Sequence, residues 1–410
     1  MTVMKKILAV VLPMWCAALQ IASGKPAAWQ PDGNAVSGMR PENREAAEQV
    51  VSASLPCNIY SGVWNAGHVQ GIAVDTGREH MYFSFTTMLV KTDLEGNVIG
   101  TVTGLLGHLG CLAFNDGDGR LYGSLEYKND VIGKGILNRE KSDKTLDDGF
   151  YVAIFDVGKI TREGMNAERD GIMTTVFLPT VLADYKAKVT MASGAVHEHR
   201  FGCSGIDGIT FGPAFGRKGG KRFLTVAYGI YGDTTRTDND CQVLLQYDAS
   251  KLRRYETALS QDNMHRNGPA RPAGTYFVRT GNTSWGVQNL EYDAGENLWF
   301  MAVYPGKKKG FANFGLFAID GSKAPAKRRI AGTDYVRKAR VLTLCERGMR
   351  DPRHPEICGW HFKYGATGLC SLGCGLFYIS HNGRTPEGQE CNARLYRFIG
   401  SETTAFEPVE

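Results

Sequence analysis

The chain of 410 residues has a formal net charge of +5 and carries 50 glycines against 15 prolines. Many glycines alongside abundant Tyr, Phe and Val suit short strands and tight turns and exclude a helical bundle. The mild basicity is dispersed and forms no extended basic stripe with interleaved aromatics, so no nucleic acid partner is expected.

Residues 1–24 read as a signal peptide. Lys5 and Lys6 precede an apolar stretch from Ile7 to Leu19, and Ala22-Ser23-Gly24 supplies small residues for cleavage. No later run approaches the roughly 20 apolar residues of a transmembrane helix, so no integral membrane segment is expected after signal removal, and the expected location is secreted or periplasmic. Residues 25–56 are first Pro- and Gly-containing and then Glu- and Ala-rich, which suits an N-terminal tether. Nine cysteines follow the signal, an odd number that leaves at least one thiol outside any intramolecular pairing; Cys345 and Cys358 flank a loop that a disulfide could staple.

From residue 57 to 400 an apolar strand signal starts five times directly after a short polar segment: at Gly71, Gly110, Gly208, Asn289 and Gly368. The first start opens strands at Ile72–Val74, Met81–Phe85, Leu89–Thr92 and Val98–Val102. The second opens Cys111–Phe114, Leu121–Leu125, Tyr151–Phe155 and Thr174–Leu178, and the third Ile209–Phe211, Phe223–Ala227, Val243–Tyr247 and Tyr276–Arg279. The fourth gives Leu290–Tyr292, Leu298–Val303, Leu316–Ile319 and Ala339–Leu344. The fifth supplies only Leu369–Leu372, Leu376–Ile379 and Leu395–Phe398, and its missing outer strand can come from Ile59–Val63.

Repeated four-stranded units predict an all-β fold, a β-propeller of five blades whose ring is closed by an N-terminal strand. The first interval between starts is about 40 residues and the others about 80 to 100, so the alternative divides each long interval in two and gives seven or eight blades. Five is preferred because each long interval holds one convincing set of four strands. The excess falls in insertions at 130–148, 184–199 and 250–274, and residues 401–410 read as a C-terminal tail.

In a propeller the segments leading into the innermost strands share one face with the loops between second and third strands. The residues gathered there are Gln70, Glu126, Tyr228, Tyr231, Arg236, Asp238, Trp285, Gln288, Asn289, Tyr364, His381 and Arg384, all candidates for substrate binding. His68 and His108 occupy matched places in Gly-His-Val-Gln and Gly-His-Leu-Gly, and imidazole at such a place can serve as acid, base or metal ligand. Asp207 and Glu291 are the leading carboxylate pair for hydrolysis of a glycosidic bond. Trp285 beside Asn282, Gln288 and Asn289 has the makings of a sugar platform, and Arg236 and Arg384 suit a carboxylate or sulfate-like group.

On these residues the stretch from Cys57 to Ile399 resembles the secreted bacterial propellers found among carbohydrate-active proteins. The resemblance implies a glycan-active enzyme, a glycoside hydrolase or a lyase, acting at the centre of one face on a saccharide that carries an acidic group. His68 or His108 is the base of the lyase version, and a divalent metal is the cofactor such a site could use. The alternative is a noncatalytic propeller that binds glycan or protein on the same face.

Overall fold

The computed structural model describes residues 54–410 apart from Thr76 and Arg78. The signal peptide at 1–24, and the tether except for its last three residues, lie outside the described residues.

Five sheets, antiparallel through their principal strands, follow one another along the chain as blades. Blade 1 comprises Val69–Val74, His80–Phe85, Met88–Asp93 and Val98–Thr103, and blade 2 comprises His108–Asn115, Arg120–Tyr127, Gly149–Phe155 and Met173–Phe177. Blade 3 contains Cys203–Gly212, Phe223–Ile230, Cys241–Asp248 and Gly274–Arg279; blade 4 contains Thr283–Asp293, Leu298–Pro305 and Leu316–Asp320. Blade 5 runs Leu369–Ser371, Leu376–Arg384 and Gln389–Phe398, and its fourth strand is Asn58–Trp64. The innermost strands touch in cyclic order, the fifth against the first, so the fold is a five-bladed β-propeller.

The N-terminal strand closes the ring as expected, Asn58 pairing with Arg394 and Trp64 with Gln389. Residues 406–408 also join this blade, pairing with the C-terminal half of Gln389–Phe398, so the stretch read as a tail completes a sheet edge. The fourth blade departs from expectation. Ala339–Val341 runs parallel to Gly274–Arg279 at the edge of blade 3, and only the residues around Leu344 reach blade 4, through a bridge to Ile319. A segment read as one outer strand therefore spans two blades.

Both faces of every blade are covered, which explains why the strands read as near-continuous apolar runs rather than alternating ones. One apolar cluster fills each gap between neighbours: Tyr82 with Leu125 between blades 1 and 2, Phe150 with Ile206 between 2 and 3, Val287 with Tyr276 between 3 and 4, Phe300 with Phe377 between 4 and 5, and Phe83 with Tyr378 between 5 and 1. The nine described cysteines are free thiols, Cys345 and Cys358 among them, so the expected staple is not formed.

The recurrent strand start is a β-bulge. In blades 1 to 4 the pairing register of the innermost strand slips between Val69 and Gly71, Leu109 and Leu112, Ile206 and Ile209, and Val287 and Asn289. A bulge inserts one extra residue and re-aims a side chain, here Gln70, Asp207 and Gln288. The residue after it must be small because the neighbouring blade is close: a Cβ on Gly71 would lie 2.7 Å from the Cys111 Cα, and one on Gly208 3.0 Å from the Leu290 Cβ. Ser84 Oγ and Ser124 Oγ stitch the same seam, donating to the carbonyls of Gly110 and Asp207 in the next blade at 2.5 and 2.6 Å.

Candidate functional site

Four ionisable side chains from blades 2 and 3 converge on the expected face. Glu126 and Lys128 leave the end of Arg120–Tyr127 two residues apart and therefore on one side of the chain. Lys128 Nζ lies 2.5 Å from Glu126 Oε1 and donates to the Ser204 carbonyl at 3.1 Å. Glu126 Oε2 accepts from the Ile206 amide at 3.2 Å. Gly205, at φ 136°, makes this cradle possible, since any Cβ there would run into Glu126 Oε2. His108 Nδ1 sits 3.9 Å from both Glu126 Oε1 and Asp207 Oδ1, buried and without a hydrogen-bond partner. Asp207 is aimed inward by its bulge, and Gln288, on the equivalent bulge of blade 4, donates to Asp207 Oδ2 at 3.0 Å and to the Trp285 carbonyl at 2.9 Å.

Desolvation dominates the electrostatics. It pushes Asp207 up to about 8, with the Glu126 charge adding and Lys128 and Gln288 opposing. It lowers His108 to about 3, reinforced by Lys128, so the imidazole is neutral near pH 7. Burial also raises Glu126, while Lys128 pulls it back toward the ionised form. Burial alone would lower Lys128, yet the charges of Glu126 and Asp207 outweigh it and hold the ammonium protonated. The centre thus combines an ion pair, a neutral imidazole and a carboxylic acid able to give up its proton near neutral pH.

His108, Glu126 and Asp207 offer one ligand atom each within 4.8 Å of one another, the one such grouping among the described residues. A cation could use these three ligands, but the Lys128 ammonium already neutralises Glu126, so metal binding would require displacing it.

The other predicted residues divide by what they touch. His68 stands at the place matching His108, exposed at the channel mouth, and close enough to depress the proton affinity of His108. Gln70 Nε2 donates to Thr86 Oγ1, and Asn289 Nδ2 spans the channel to the carbonyls of Gln70 and Ala366. Trp285 is 41% exposed at φ 66°, with Tyr231 6.0 Å from it in edge-on contact. Tyr364 stacks on His381 at 3.8 Å, and His381 Nε2 meets the Tyr396 hydroxyl at 2.9 Å.

Three expected ligands for substrate are engaged inside the protein. Tyr228 is fully buried and donates to Asp184, while Arg236 grips Asp238 with two nitrogens and the carbonyls of Glu198 and His199. Asp238 accepts from Tyr335 as well. Glu291 is not brought to Asp207: it accepts from Thr210 Oγ1 and the Ser371 amide and lies beside Asp293, toward the opposite side of the propeller. Glu126 occupies the place beside Asp207 that the sequence reading gave to Glu291.

Lys128 and Arg139 were missed by sequence reasoning. The alternation Glu126-Tyr127-Lys128 is the signal for the first. Arg139 ends helix α1 (Val131–Arg139), which occupies the insertion after Asp130, where the Asp130 side chain caps the Gly133 amide.

Fold and site together define a five-bladed propeller with a buried acid–base centre where blades 2 and 3 meet. No family model matches the chain, and no curated protein matches it. Among solved structures it is similar to the β-propeller domain of Cps50 (Swd1) from Myceliophteria thermophila, with 10% identity and a TM-score of 0.32 over 86% of this chain and 89% of that one. It is also similar to hydrazine synthase from Kuenenia stuttgartiensis, with 11% identity and a TM-score of 0.30 over 79% of this chain and 58% of that one. A third similar structure is the Dos1 propeller, with 11% identity and a TM-score of 0.26 over 83% and 81%. The blade count rests on the strand pairing described above.

Proposed function

We propose that this chain is an exported glycan-active enzyme that hydrolyses a glycosidic bond in an acidic saccharide, with Asp207 as the acid and Glu126 as the opposing carboxylate. The observation that carries the reading is the convergence of Asp207 and Glu126 on one buried imidazole, His108 Nδ1, at 3.9 Å from each. Paired carboxyl groups about 5 to 5.5 Å apart suit hydrolysis with retention, whereas inversion needs about 6.5 Å or more. One oxygen of Glu126 lies within 4.8 Å of one of Asp207, nearer the first spacing than the second.

Asp207 would donate its proton to the leaving oxygen while ionised Glu126 bonds the anomeric carbon. Water would then cleave that bond and return a proton to Asp207. Trp285, held above Asp207 through Gln288, offers an aromatic face to a sugar ring.

A screen of acidic oligosaccharides tests this reading. Released reducing sugar lost in Asp207→Asn and in the double variant Glu126→Gln with Lys128→Met, both still folded by circular dichroism, supports it. New absorbance from an unsaturated uronate would instead assign elimination, with neutral His108 as the base. Binding of glycans without turnover of any of them would leave the noncatalytic alternative standing.

A further inference from the structure

Beside the buried centre lies a polar cavity of about 270 Å³ lined by Asn65, Gly67, Arg139, Arg384, Glu387 and Gln389 among others. It is assembled from three remote parts of the chain: the segment leading into blade 1, the end of helix α1 in the blade 2 insertion, and the outer hairpin turn of blade 5. Neither the Arg139 nor the Arg384 guanidinium has a hydrogen-bond or ion-pair partner among the described residues. Both are exposed. The surrounding carboxylates are mostly engaged: Glu140 accepts from Thr87 and Glu390 from Tyr60, which leaves Glu387 as the acid on the cavity wall.

The position of Arg139 is built. Gly67, at φ 83°, leaves the space into which the guanidinium reaches, and a Cβ there would lie 2.8 Å from Arg139 Nη1. The next residue is His68, whose proton affinity desolvation lowers and the Arg139 charge lowers further. Helix α1 joins the two places: Ile132, Gly133 and Ile136 line the pocket that holds His108, Glu126 and Lys128, and Arg139 at the end of the same helix lines the cavity. Arg236, the other arginine that could have received an anion, is consumed by Asp238 and two carbonyls.

We infer that Arg139 and Arg384 form an anion subsite that receives the carboxylate of a uronate residue next to the bond cleaved at Asp207 and Glu126. Planar guanidinium groups bind a carboxylate through parallel charge-assisted hydrogen bonds, and two of them facing one polar cavity select a charged sugar over its neutral counterpart. This inference rests on the glycan-active reading of the same face and specifies which charge the substrate carries and where it is held.

Titration calorimetry on the full chain with an oligoglucuronide and with its carboxyl-reduced counterpart tests it. Wild type should bind the oligoglucuronide at least tenfold more tightly than the reduced form, and Arg139→Gln and Arg384→Gln should each erase most of that difference with unchanged melting temperature. Equal affinity for the two ligands, no binding of the oligoglucuronide, or full retention of the preference in the double variant would overturn the subsite. Turnover by wild type keeps the two readings apart. Arginine-dependent binding without turnover in wild type leaves the subsite standing and removes the enzyme. Turnover that ignores the carboxylate does the reverse.

Discussion

Asn289 in blade 4 donates to the carbonyl oxygen of Gln70 in blade 1 at 2.9 Å, joining two blades that are not neighbours in the ring. The same amide reaches the Ala366 carbonyl in blade 5 at 3.1 Å. Where other blades place glycine after the bulge, blade 4 places a side chain that bridges the channel. Asn289→Ala leaves two buried carbonyls without this donor, each worth about 1–3 kcal/mol when orphaned. The expected result is a matching fall in urea unfolding free energy with the fold retained.

Lys128 and Glu126 form an ion pair with both side chains only 4% exposed. Removing one partner of such a pair strands the other charge and costs about 3–5 kcal/mol, whereas removing both is far milder. Lys128→Met should therefore be strongly destabilised, and adding Glu126→Gln should recover much of the loss. Equilibrium urea unfolding of the two variants checks this; a double variant no more stable than Lys128→Met would contradict it.

Asp207 titrates at about 8 in the folded chain against 3.8 for the ordinary side chain, because burial opposes its charge. Between those values the unfolded chain has released a proton that the folded chain retains, so this group makes stability fall as pH rises and stops doing so above about 8. Asp207→Asn removes the dependence. Its urea midpoint should gain on wild type from about pH 4 to about pH 8 and then run parallel. Hydrolysis by wild type should decline above about pH 8 as the acid loses its proton.

Trp285 combines high exposure with a left-handed backbone at φ 66°. Holding a bulky residue there costs on the order of 1 kcal/mol, and such strain gathers at ligand sites. Asn tolerates that conformation. Trp285→Asn should equal or exceed wild type in melting temperature while losing affinity for oligosaccharide by calorimetry. A variant that binds as tightly as wild type would remove Trp285 from the site.

The blades were legible because polar-to-apolar starts such as Gln70-Gly71 and Asp207-Gly208 mark a backbone irregularity repeated in the innermost strands. The ring closure was legible too, since Ile59–Val63 is an apolar strand with no other place to pair. The ambiguous piece was 339–344, whose composition suits an edge strand of either blade. In the site, the matched frames of His68 and His108 survived into three dimensions. Partner choice did not: nothing local says that Asp207 meets Glu126 rather than Glu291, because that depends on how far apart residues on one strand face lie along the channel. Arg236 and Arg384 look alike in sequence, and only distant backbone carbonyls and Asp238 decide that one is consumed and the other free of partners among the described residues.

The pairing of Asn58–Trp64 with Gln389–Arg394 has a temporal consequence. Synthesis delivers the first strand more than three hundred residues before its partner. Until then the emerging chain holds a sheet edge open, exposed to pairing with other chains. Completion of the circle is thus a long-range step, of the kind that slows folding.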